Sequence, residues 1–341
     1  MFRVLFFIFI PFFCLSQQKY IDYHENGKLK YDGFIKNGNP HGLWKGYYDD
    51  GNLEFEGSFV DGKKDGEWKM IFYDVWDETT EEYYQTVSIG EFKNDLKTGD
   101  WTDFYDLKLE NLYSQQSYKN GILHGKSKVY YNFPKNQLRS IGYYVNGILE
   151  GPSKMYYRNG NIMSEGEYKN NKPSSFWRLY YEEGILEGEG KYDDGEESGI
   201  WVNYFKNGNI KMITPYRNGK KFGYEQMFDE NGEISFQTNH SKENEEIEIK
   251  GYYGDNQIKY EIKMKGGKDN GLGVWKFFHG NGKLMFEFIW DDIDKTKFKL
   301  NCWDELGYKL NCKGDTNPYE LLKDSQKITF LYKQPLLTVG E

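Results

Sequence analysis

Five histidines and a recurring set of paired acids are the residues on which chemistry would have to rest in this chain. An imidazole can serve as a general base, a proton shuttle or a metal ligand. His24 and His279 each stand three residues before a glycine, Gly27 and Gly282. His41 and His124 share a second repeated position, which Asp65 and Glu150 also take. A position that accepts either imidazole or carboxylate reads as a solvated turn residue. His240 lies in an acidic stretch with no cysteine beside it. The sequence holds no H-E-x-x-H, no C-x-x-C and no other metal-ligand spacing. It also lacks the G-x-S-x-G elbow and the G-x-x-x-x-G-K-[ST] phosphate loop.

Carboxylate pairs such as Glu165 with Glu167, or Glu187 with Glu189, have the composition of a glycosidic acid/base pair. They return at the same place in successive segments, so they read as the solvent face of a strand. Asp193, Asp194, Glu196 and Glu197 offer oxygens around Gly195 but not the spacing of a calcium-binding loop. Gly266-Gly267 reads as turn chemistry. No catalytic residue, metal or cofactor is expected, and the chain reads as a non-enzyme.

The elements that carry these residues are copies of one unit. Gly160, Gly184, Gly208 and Gly232 follow one another at steps of 24 residues. A period of that length marks a stacked supersecondary unit, and an array of such units needs no second core. Ten Asn-Gly and five Asp-Gly dipeptides punctuate the sequence. Both favour the positive φ of tight hairpin turns. Most fall in two columns, one through Gly27, Gly51, Gly160, Gly184 and Gly208, the other through Gly38, Gly62, Gly121, Gly147, Gly195 and Gly219. Between turns the residues alternate: Leu53, Phe55, Gly57 and Phe59 against Asn52, Glu54, Glu56 and Ser58. That two-residue period predicts half-buried antiparallel strands. A tryptophan column runs through Trp44, Trp68, Trp101, Trp177, Trp201 and Trp275. Gly57, Gly90, Gly142, Gly166 and Gly190 fall mid-strand, where glycine is costly unless a neighbour needs the room. A large ring is expected over each. Roughly ten hairpins give about 20 strands, an open antiparallel sheet on the order of 95 Å long if continuous.

Composition agrees. The 341 residues include no alanine, while aromatics make up 18%. Alanine is the best helix former and aromatics favour strands. Met1 to Ser16 reads as a secretory signal peptide: Arg3, then an apolar run from Val4 to Leu15, then Cys14-Leu15-Ser16 before the expected mature start at Gln17. Twelve apolar residues are too few to span a bilayer, which takes about 20. Bulky Phe12 and Phe13 before Cys14 fit a lipoprotein anchor poorly. The expected location is therefore the periplasm, the outer envelope or the medium. The net charge of −9 disfavours nucleic acid and anionic lipid as partners. Cys302 and Cys312 sit in a local duplication, Lys299-Leu300-Asn301-Cys302 and Lys309-Leu310-Asn311-Cys312, with a turn between them. In an exported chain this arrangement admits either a disulfide or two buried thiols.

The recurring elements Gly66-Glu67-Trp68-Lys69, Ile162-Met163-Ser164-Glu165-Gly166 and Tyr168-Lys169-Asn170 resemble the variant MORN repeat of bacterial proteins, over about residues 20–290. The resemblance implies an elongated sheet of β-hairpins with non-enzymatic roles in scaffolding, self-association or lipid contact. Some bacterial relatives are labelled antitoxins, a cytoplasmic role that fits a signal peptide badly.

Two stretches break the period. Trp68 and Trp101 stand 33 apart, with the surplus near Asp74 to Glu82; a second break runs from Gln237 to Lys250. Insertions in solenoids are expected as surface loops, often on the binding face. Candidate partner contacts are Trp76, Asp77 and Glu78 in the first, and Glu243, Glu245 and Glu246 in the second. Residues 17–290 are read as the array and 291–341 as a degenerate cap over the open edge. The expected function is protein–protein contact by an exported scaffold, through an unidentified partner or self-association. The alternative is a cell-wall glycan module that stacks sugars on the aromatic face.

Overall fold

The computed structural model describes residues 17–77, 82–240, 246–265, 271–290 and 298–312. Among these the chain is all-β, with 27 strands and no helix. The count exceeds the expected 20 partly because three strands break beside a left-handed glycine. Asn39–Pro40 and Gly42–Tyr47 part near Gly42, and the same happens near Gly151 and Gly223.

Within each unit, strands that follow one another in sequence pair antiparallel, except that the two parts of a broken strand pair with the same preceding strand, as Asn39–Pro40 and Gly42–Tyr47 both do with Leu29–Lys36. Gly42–Tyr47 pairs with Leu53–Val60, setting Trp44 opposite Gly57. Leu53–Val60 pairs in turn with Lys63–Asp77, setting Gly57 opposite Trp68. The two turn columns differ in geometry. At Asp61-Gly62 both residues take positive φ, 50° and 84°, as a two-residue hairpin of the right-handed-twist type demands. Asn170-Asn171 and Asn94-Asp95 hold the same turn without glycine, because Asn and Asp tolerate the left-handed region. In the other column glycine alone is left-handed. The Gly51 N–H donates to Tyr48 O at 2.9 Å, and the Tyr48 N–H donates to Asn52 O at 2.9 Å. The pairing slips by one residue beside this longer turn, between Gly46 and Tyr47.

Close packing of rings on backbone explains the mid-strand glycines. A Cβ added at Gly57, Gly90, Gly166 or Gly190 would fall inside the ring of Trp68, Trp101, Trp177 or Trp201 respectively. Each of these indoles also donates its Nε1–H to a backbone carbonyl ten residues earlier, as Trp68 does to Ser58 O at 3.1 Å. Gly142 departs from the expectation. A Leu149 methyl lies over it instead of a ring, because Ser153 stands where the other repeats place tryptophan.

The chain forms two compact units, residues 1–185 and 186–341. In the first, Trp68, Phe92 and Trp101 make a buried cluster with Phe55 and Phe59 packed against it. In the second, Phe236, Tyr260, Trp275, Phe277, Phe288 and Trp290 form a larger one with Ile249 and Ile262. The described part of the expected cap continues the meander. Phe298–Trp303 pairs with Leu284–Trp290, and Lys309–Leu310 pairs with the end of Phe298–Trp303. Residues 313–341 lie outside the described part.

Candidate functional site

Among the described residues, both period breaks are flanked by paired strand. The first lengthens a hairpin: Lys63–Asp77 runs against Glu82–Lys93, with Trp76 opposite Tyr83 and Asp77 opposite Glu82. The register shifts between Phe72 and Val75, so the surplus is taken up partly by an irregularity and partly by extra rungs. In the second, Gln237 pairs with Lys250, Thr238 with Ile249 and Asn239 with Glu248. The described flanks of both stretches are thus ladder, because they alternate in a way that suits a strand. Glu246 opens the strand Glu246–Tyr252, opposite Lys265. Glu78, Glu243 and Glu245 lie outside the described residues. Trp76 and Asp77 belong to the first unit and Glu246 to the second.

The repeated histidines are fastened to backbone. His24 Nε2 meets Tyr47 O at 2.8 Å, and His279 Nε2 meets Trp303 O at 3.1 Å. Tyrosines occupy the same column and do the same work: Tyr48, Tyr157 and Tyr253 each donate a hydroxyl to a carbonyl of the next repeat. His24 and His279 are therefore half-buried ties between repeats. His41 and His124 accept, through Nδ1, from the N–H groups of Asp61 and Asn146 in the neighbouring turn, and Glu150 accepts from Asn170 N–H at 2.8 Å.

One acid of each pair is likewise spent on structure. Glu165 accepts from Lys154 Nζ at 2.7 Å and from the Tyr180 hydroxyl at 2.8 Å, which together hold its carboxyl below the usual range. Glu189 accepts from the Tyr204 hydroxyl at 3.0 Å. Among the described residues no group of three or more His, Cys, Asp or Glu is placed to hold a metal ion.

One chemically loaded cluster escaped the sequence reading. The tryptophan step from Trp201 lands on Glu225, and the glycine step from Gly190 lands on Thr214. The ring-over-glycine pair is here replaced by a carboxylate beside a hydroxyl. Glu225 is 7% exposed and Thr214 1%. Lys221 Nζ donates to Glu225 Oε1 at 2.6 Å, His240 Nε2 lies 3.0 Å from Oε2, and the Thr214 hydroxyl is 3.2 Å from Oε1. Burial pushes this carboxyl upward, but the hydrogen bonds and charges of His240 and Lys221 outweigh it and hold the pKa at about 2. The signal was a broken column, visible at a step of 24 from Trp201. A nucleophilic role for Thr214 is geometrically blocked, since a substrate atom has no approach to its hydroxyl. The cluster is an ion pair that fills an indole's place.

A second buried polar row lies in the first unit. Asp103 accepts from the hydroxyls of Ser88 and Ser114, both at 2.5 Å. Lys97 lies 3.9 Å above the Trp101 ring; burial lowers its pKa, opposed by the charge of Asp103.

Cys302 and Cys312 are joined as a disulfide, with Cα atoms 5.9 Å apart, inside the range such bonds require.

The sequence family described as the MORN repeat variant matches at residues 19–37, 40–61, 149–170, 197–218 and 272–292. The chain carries variant MORN repeats. The matched segments each span a strand–turn–strand portion of the array; the segment 149–170 is matched although Ser153 takes the tryptophan's place, whereas the segments that carry Ser127 and Glu225 there are not matched. No curated protein matches the chain. Among solved structures, the Photorhabdus luminescens Tc holotoxin pore carrying the TccC3-D651A mutation aligns at 12% identity and a TM-score of 0.19. That alignment covers 85% of this chain and 16% of the other, and it carries no argument about fold or function.

Proposed function

We propose that this protein is an exported, non-enzymatic scaffold that binds another protein at the cell envelope. MORN repeats generally mediate protein or membrane interactions. The observation that carries the reading is the fate of the reactive side chains. The histidines, Glu165 and Glu189 of the paired acids, the buried Glu225 and the half-buried Asp103 each hold one strand or turn against another. What remains for a ligand is surface, and 24-residue copies present that surface at regular intervals.

The indoles favour protein over glycan. Trp44, Trp68, Trp101, Trp177, Trp201 and Trp275 are all between 1% and 7% exposed. A ring that is sealed over backbone offers no face for a sugar to stack on.

Crosslinking on intact cells, with a photoreactive residue at an exposed turn position such as Ile122, is expected to trap a protein and to leave purified wall glycan in the supernatant. Recovery of wall fragments without protein would replace this reading with the glycan one.

A further inference from the structure

One edge of the first unit has a side-chain pattern that the fold does not need. Three consecutive two-residue turns lie side by side there, at 119–122, 145–148 and 169–172. They are stitched together: Gly147 N–H donates to Leu123 O at 2.8 Å, and Asn171 N–H donates to Leu149 O at 3.1 Å. The Asn171 side chain accepts from Leu149 N–H at 2.8 Å, and Glu150 accepts from Asn170 N–H at 2.8 Å. A Cβ added at Gly147 would sit 3.4 Å from an Ile122 methyl, so adjacent turns touch. The edge is pre-organised rather than loose.

Its exposed side chains run in a fixed order: Lys119 and Ile122, then Val145 and Ile148, then Lys169 and Lys172. Val145, Ile148 and Ile122 are 47%, 39% and 49% exposed. An aliphatic centre is thus flanked by cations on both sides. Lysines recur along the edge, although one of them, Lys93, is paired with Asp65 at 3.0 Å. In the turns 36–39, 60–63, 93–96, 119–122, 145–148 and 169–172, six lysines stand against two acids, within a chain of net charge −9. Turn tips facing only water need no aliphatic side chains, and an acidic chain has no general reason to collect lysines there.

We propose that this edge docks an extended acidic polypeptide segment of a partner protein. This rests on the scaffold reading and names its surface. Charge complementarity selects the occupant's sign, and spacing selects its form. Successive turns are separated by two strands, about 9.6 Å, so the outer two lie about 19 Å apart. An extended chain rises about 3.3 Å per residue, so six residues cover that distance. Two acids six residues apart reach the two lysine groups, and the alternate residues between them lie over Ile122, Val145 and Ile148. An anionic membrane is a poorer fit, because the net negative charge of the chain opposes its approach.

The test uses the full mature chain and a synthetic heptapeptide with glutamate at positions one and seven, leucine at three, valine at five and serine elsewhere. Fluorescence anisotropy is expected to show binding that weakens with salt and falls at least about fivefold when both glutamates become glutamine. K119E/K169E is expected to lose at least as much, and I148S to lose about threefold with the salt dependence kept. Circular dichroism of each variant checks that the sheet is intact. Equal binding of the glutamine peptide, no binding of either peptide, or indifference to K119E/K169E would overturn the proposal. So would binding to phosphatidylserine vesicles that the same charge reversal abolishes, which would make lipid the occupant. If the peptide fails while crosslinking on cells still captures a protein, the scaffold reading survives and this edge is not its surface.

Discussion

Glycine at position 190 and glycine at position 280 look alike in sequence and differ in what surrounds them. A Cβ at Gly190 would enter the Trp201 ring, whereas at Gly280 it meets nothing within 4 Å. Gly190→Ala is therefore expected to cost about 1–3 kcal/mol through forced displacement of the indole. Gly280→Ala is expected to stay within about 0.5 kcal/mol of wild type, with both read from urea midpoints. Glu225 gives a pH dependence of definite sign. Its folded pKa of about 2 lies below the ordinary 4.5, so its contribution is complete above pH 4.5 and is lost as pH falls toward 2. A difference of that size is worth on the order of 3 kcal/mol. Denaturant titrations of wild type and Glu225→Gln are expected to converge as the pH is lowered through this window. A gap that stays constant from neutral pH down to 2 would show that the charge of Glu225 is not what stabilises the fold.

The hairpin is the element at which most of the architecture was legible. Asn-Gly and Asp-Gly placed the turns, alternation placed the buried face, and glycine eleven residues before tryptophan placed the ring contacts, as at Gly57 and Trp68. These signals are local and repeat, so they survive a reading without coordinates. What stayed hidden depends on non-local compensation. Glu225 is acceptable only because Lys221, His240 and Thr214 converge on it from other positions, and nothing in its immediate sequence announces that. The strand pairing that flanks the breaks near Trp76 and Gln237 was not legible, because a period reveals an insertion but not which of the inserted residues pair. The column logic predicts a repair. Thr214→Gly with Glu225→Trp should restore the indole-over-glycine pair, giving a fold at least as stable as wild type and without the acid-linked loss. Glu225→Trp alone should be destabilised by about 1–3 kcal/mol, since Thr214 keeps the Cβ that the ring must displace. Near the far end, the Cys302–Cys312 bridge closes a separation of ten residues. Intact mass without reductant is expected 2 Da below the dithiol value. Reduction is expected to cost about 2–4 kcal/mol in the second unit, as the chain-entropy model gives for a short loop. Free thiols in the natively purified protein would remove the bond from the account.

At the scale of the whole molecule, the question is which compartment the array works in, and the N-terminal segment and the C-terminal cysteines bear on it together. In the proposed export reading Met1 to Ser16 is a cleaved signal, and structural disulfides persist mainly where the surroundings are oxidising. Loss of Met1 to Ser16 removes Arg3 and no acid, which moves the formal charge from −9 to −10. The two features make a joint prediction. Protein recovered from the envelope or medium of the native host is expected to begin at Gln17 and to carry the 302–312 bridge in the same molecule, as read by N-terminal sequencing and peptide mapping without reductant. Retention of Met1 to Ser16 on a chain found in the cytoplasm with both cysteines free would sink the export reading while leaving the repeat fold untouched, because the Gly–Trp packing and the turn geometry draw on neither.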